Sequence, residues 1–173
     1  MTDALPLHDE QAELVTTDDR WALSLDRVLP HPVEAVWAAL TRAEQVPAWA
    51  PFAPTRDLDS PGPVGLPETP DAEPGAPAEV RRADRDRLLV LTRDRDELRF
   101  ELTPDVTGTL LRLTHTFTDR SRAPAYAAGW HLCLAALDGT LAGLELPKVT
   151  GDAARAHGWD ELHDRYGTLL EEL

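Results

Sequence analysis

The chain has 173 residues, 42% of them hydrophobic, which suits one domain with a tail and a sizeable core. Seventeen lysines and arginines face 31 aspartates and glutamates, a formal net charge of −14. That sign repels phosphate backbones and anionic lipid, so neither nucleic acid nor a membrane surface is an expected partner.

The N-terminus, "MTDALPLHDEQAELVTTDDR", has acids where a secretory signal would have a basic start and an apolar run. A lone cysteine cannot form an internal disulfide. No run approaches the roughly 18 apolar residues of a membrane span. These features predict a soluble, cytoplasmic protein. Residues 1–19 are polar and without a clear period, and read as a flexible arm.

"RWALSLDRVLP" alternates through Trp21, Leu23 and Leu25 and, after a slip, Val28, which predicts a half-buried strand closed by Pro30 and Pro32. Pro32 is placed to open a helix whose Val33, Val36, Trp37 and Leu40 fall at helical spacing. A second short helix is expected in "RAEQVPAWA", ending or bending near Pro47. Residues 59–79 hold six prolines and three glycines and read as a loop with one extended piece near Val64 and Leu66. Such a loop either covers a site or is a tolerated surface insertion.

The runs "AEVRRA", "RLLVLTR", "ELRFELT" and "TLLRLTHTFT" follow, separated by breaks short enough for antiparallel hairpins. Leu98, Phe100 and Leu102 share one face, as do Leu111, Leu113, His115 and Phe117, giving a meander with one apolar side. In the next segment Tyr126, Trp130, Leu134, Leu137, Leu141 and Leu144 recur at intervals of three or four and predict a long amphipathic helix. Cys133 flanks that stripe and His131 lies on its other border. A tail helix follows over "GWDELHDRYGTLLEEL", carrying Trp159, Leu162, Tyr166, Leu169 and Leu173. It should dock on the body or on a second subunit, which would make a homodimer.

This order of elements is that of the α+β helix-grip fold, a curved antiparallel sheet wrapped around a long C-terminal helix, here with an extra tail helix. The residues extend the match. "LDRVLPHPVEAVWAALTRAEQVPAWAP" resembles the opening signature of SRPBCC proteins in the START/birch-allergen superfamily, and within it the branch of homologues of the activator of heat-shock-protein-90 ATPase. "RFELTPDVTGTLLRLTHTFTD" is similar to that branch's penultimate hairpin, and "AGWHLCLAALDGTLAG" to its final helix. The resemblance covers residues 20–145, taken as the domain, with residues 146–173 as the tail. It departs at 59–79, where a Pro-rich stretch replaces the usual Gly-Gly turn.

The resemblance implies an apolar cavity between sheet and helix. Its expected lining is Trp49 and Phe52 at the entrance, Phe100, Leu113, His115 and Phe117 from the sheet, and Trp130 and Leu134 from the helix. The competing expectation is a filled core in which these side chains pack on one another. His115, inward among apolar neighbours, could orient a ligand, act as a general base, or bond a backbone carbonyl or buried water. It is the one catalytic candidate. The six histidines show no His-x-x-x-His spacing and the single cysteine allows no thiolate cluster, so no metal site or cofactor is expected.

Three functions are compatible with this reading. The first is binding of a small hydrophobic ligand. The second is a polyketide cyclase or dehydratase-like enzyme using the same cavity. The third is a co-chaperone-like protein-interaction module.

Overall fold

A computed structural model describes residues 11–147 and 149–171. Strand formation begins earlier than expected. Residues Gln11–Thr17 form β1, paired antiparallel with β2 (Arg20–Leu29) from Gln11↔Asp26 to Thr17↔Arg20. The arm predicted for residues 1–19 is therefore corrected from residue 11 onward, and its first ten residues lie outside the described ones. β1 escapes sequence reading because Leu14 is its one buried hydrophobic residue, as befits an edge strand. Asp18 and Asp19 form the two-residue turn, both at positive φ, a conformation aspartate tolerates better than most residues.

In β2 the alternation does not slip. Leu23, Leu25, Arg27 and Leu29 all face inward, and Val28 is 49% exposed. The predicted slip mistook a buried arginine for a solvent-facing one. α1 (Val33–Thr41) opens behind Pro32 as expected. The second helix is only a 3-10 turn over Val46–Ala48, with Pro47 inside its first turn rather than at its end.

The Pro-rich segment carries β3 (Gly62–Val64), paired with β4 (Ala78–Asp84), and buries Val64 and Leu66. It closes the far edge of the sheet. β5 (Leu88–Arg93), β6 (Asp96–Asp105) and β7 (Gly108–Phe117) complete a seven-stranded antiparallel sheet in the order β1-β2-β7-β6-β5-β4-β3. Register places Leu98 opposite His115 and Phe100 opposite Leu113, so the predicted apolar face is a single surface.

α2 (Ala123–Leu141) packs across that face. It is buried nearly all round: Ala127, Ala128, Leu132 and Ala135 lie off the predicted stripe and are as inaccessible as Leu134 and Leu137. The cause is α3 (Trp159–Glu171), which covers the side of α2 turned away from the sheet. The expected one-sided helix is thus a helix sandwiched between two layers. α3 buries Leu162, Tyr166 and Leu170, while Leu169 is exposed; Leu173 lies outside the described residues. The tail docks on the body, and His131 Nδ1 lies 2.8 Å from Tyr166 Oη across the helix pair.

α2 ends in a Schellman cap. The Leu144 amide bonds the Gly139 carbonyl, the Gly143 amide bonds that of Thr140, and Gly143 takes a φ of 79°. Among the described residues no helix is long and apolar enough to cross a membrane.

Candidate functional site

One pocket of about 550 Å3 opens at the N-terminal end of α2. Its floor is the sheet, through Leu98 and His115, and its near wall is α2, through Tyr126, Gly129, Trp130 and Cys133. Phe52 closes one side from the loop after the 3-10 turn. The far wall is the segment before α3: Val149, Thr150, Ala154, Arg155 and Trp159. A 3-10 helix over Gly151–His157, leading through the left-handed Gly158, carries this wall. Arg93 and Asp96, which face each other across the β5–β6 turn, complete the rim.

The predicted lining divides in two. Phe52, His115 and Trp130 face the pocket. Trp49, Phe100, Leu113, Phe117 and Leu134 do not line it; they are buried in the main core. Trp49 spends its indole N–H on the Ala39 carbonyl at 2.8 Å and packs edge-on against Phe100, with ring centroids 6.0 Å apart. Phe100 belongs to the buried core cluster, and Trp130 borders both that cluster and the pocket.

His115 is held on both sides. Trp130 Nε1 donates to His115 Nδ1 at 3.1 Å. Because an indole nitrogen can only donate, Nδ1 must be the acceptor, and the proton sits on Nε2. That N–H points to Asp96 Oδ2 at 2.8 Å. The imidazole is further clasped by Tyr126, 4.3 Å away between centroids, and by Phe117 at 5.3 Å. Its partners are two side chains rather than the backbone carbonyl or buried water expected. His115 is thus a neutral, oriented group whose ring forms part of the pocket floor, with neither nitrogen free to take a proton from a ligand unless a bond to Trp130 or Asp96 opens.

His131 does not approach this cluster; it is tied to Tyr166 instead. Cys133 touches the pocket but is almost fully buried, and burial pushes its thiol up to about 12. At neutral pH it is a small apolar wall atom, not a nucleophile. Among the described residues no three histidines, cysteines or acids gather where they could hold a metal ion.

Sequence reasoning missed Arg93, Asp96, Gly129 and the whole tail wall. Asp96 was accessible by parity, since residues 96, 98, 100 and 102 fall on one face of β6. The "RDRDE" alternation placed it in one of the short charged breaks between strands. The tail carried no local signal, because its role depends on where α3 lands.

The family model for "Activator of Hsp90 ATPase homolog 1-like protein" matches residues 30–142, well over half of the chain. Among solved structures, CalU16 from Micromonospora echinospora is 21% identical, with 93% of this chain and 96% of that one covered and a TM-score of 0.71. The conserved protein of unknown function EF2215 from Enterococcus faecalis is 16% identical over 94% of this chain and 92% of its own, also with a TM-score of 0.71. MLL2253 from Mesorhizobium loti is 21% identical over 70% of this chain and 96% of its own, with a TM-score of 0.61. These likenesses show a shared helix-grip fold, and the first two extend over nearly the whole chain. No curated protein matches it. The chain belongs to the SRPBCC proteins, in the branch of activator of Hsp90 ATPase homolog 1-like proteins.

Proposed function

We propose that this protein binds a small, largely hydrophobic ligand at the N-terminal end of α2. The observation that carries the proposal is the pocket itself. At about 550 Å3 it lies within the range typical of ligand sites. Aromatic rings from the loop after the 3-10 turn, from α2 and from the tail supply much of its lining, and a few polar groups converge at the rim.

A cyclase or dehydratase role would use the same pocket, with His115 moving a proton. The bond from Trp130 weighs against it, because it occupies the nitrogen that a general base would use. His115 is better suited to presenting an oriented ring to the ligand.

Gly129 offers a direct test. It lines the pocket, and a Cβ built there meets nothing within 4 Å. Gly129→Leu should fill the space without disturbing the fold. The neutral fluorescent probe phenylnaphthylamine should bind the native protein and bind Gly129→Leu at least tenfold more weakly, with Tm unchanged or raised. Equal binding by the two proteins would remove the pocket from consideration. Native mass spectrometry of freshly purified protein would then show whether a small molecule accompanies the chain, and its mass.

A further inference from the structure

We propose that the ligand of this pocket carries a carboxylate or similarly compact anionic group, held between Arg93 and Arg155, with an aromatic body against Phe52, Tyr126, Trp130 and Trp159. This rests on the ligand-binding reading above and specifies the chemistry of the occupant.

The starting observation is one of charge. In a chain with 31 acidic residues, arginines find carboxylates easily. Arg112 forks onto Asp26 at 2.7 and 2.8 Å, Arg82 and Arg87 share Asp84, and Arg99 meets Glu101. Arg93 at the rim and Arg155 on the tail wall are different: among the described residues neither forms an ion pair with a carboxylate. Two guanidiniums without counter-ions at the mouth of one apolar space favour an anion there.

The rim also contains one carboxylate, Asp96. Its Oδ2 already accepts the Nε2–H of His115, and its side chain is about one-third exposed. The charged lining among the described residues is therefore two cations against one acid already engaged. Arg155 has its guanidinium carbon 5.9 Å from the centroid of the Trp159 ring. A stacked guanidinium keeps its edge N–H groups available, and that edge matches the two oxygens of a carboxylate.

The ring-bearing walls come from three separate elements, the loop after the 3-10 turn, α2 and α3, so a flat apolar body could meet faces and edges on several sides. An aliphatic ligand would use the same space with less directional contact.

Three isosteric probes test the idea by fluorescence titration: anthracene carboxylate, its carboxamide, and its aminomethyl analogue. The carboxylate should bind about tenfold more tightly than the amide at low salt, the equivalent of about 1.4 kcal/mol, and the gap should narrow as salt is raised. Arg93→Gln and Arg155→Gln should each lower affinity for the carboxylate several-fold and leave the amide unchanged. The double variant should bind both alike. Both arginines lie at the partly open rim, so these variants should keep the native Tm.

Equal binding of carboxylate and amide by the native protein would overturn the anion assignment while leaving the apolar pocket intact. Tightest binding of the aminomethyl probe would reverse the assignment in favour of Asp96. If none of the three binds, both this inference and the ligand-binding reading fall.

Discussion

Two glycines ten residues apart on α2 meet opposite surroundings. A Cβ at Gly129 would stand in open space beside the pocket, whereas one at Gly139 would come within 2.6 Å of the Leu146 side chain. Both ends of the helix pair a buried polar cluster with the sheet. At the pocket end it is His115, bonded to Trp130 and Asp96. At the closed end it is Arg27, whose Nη2 donates to Asp138 Oδ2 at 3.0 Å, with His31 Nε2 3.4 Å from the other oxygen. The same helix on the same sheet is sealed by a leucine at one end and left hollow at the other. The hollow is thus not an unavoidable consequence of wrapping a sheet around a rod.

The difference extends to how each cluster should respond when cut. The closed end holds an ion pair, with side-chain exposure of 2% for Arg27 and 10% for Asp138. Asp138→Ala removes the carboxylate from a buried ion pair and should cost about 3–5 kcal/mol in urea unfolding. The paired change Arg27→Met with Asp138→Leu should recover most of that loss, because apolar side chains of similar volume need no partner. A loss under 1 kcal/mol for Asp138→Ala would show that the pair is not what seals this end.

At the pocket end the contact to be cut is a single hydrogen bond between an indole and an imidazole, so smaller effects are expected. Trp130→Phe removes the indole N–H that donates to His115 Nδ1 and should cost about 1–2 kcal/mol for the unmet acceptor. It should also allow His115 to change tautomer. The imidazole 15N shifts in NMR spectra report this directly, and unchanged shifts would contradict the tautomer assigned here.

The smallest effect compares the glycines themselves. Gly129→Ala should stabilise the protein by about 1 kcal/mol, since alanine is the better helix former and has room. Gly139→Ala should gain little or nothing, because Leu146 must first move aside. Equal gains from the two would mean that the two ends of α2 are packed alike.

Much of the architecture was legible along the chain. Parity alone put Leu98, Phe100 and Leu102 on one side of β6, and Leu111, Leu113, His115 and Phe117 on the matching side of β7. Short charged breaks gave the hairpins, and Pro32 marked the start of α1. Such signals survive because strand and helix periods are local properties. The site was less legible. Three of the eight lining residues read from the sequence border this pocket, and five are buried in the core cluster away from it. Apolar character says that a side chain is buried; it does not say whether another side chain or a void lies beyond it.

Periodicity and turn chemistry, acting over a few residues at a time, determined the strands, the helices and which faces turn inward. Only the tertiary structure decided three things: that Arg27 belongs inside, that α2 is covered on both sides, and that residues 149–159 stand across from Gly129 to leave a space. Each depends on contacts between segments far apart in sequence, Arg27 with Asp138 and His131 with Tyr166 among them. No local pattern encodes such distances, because they arise from how separate layers settle against one another.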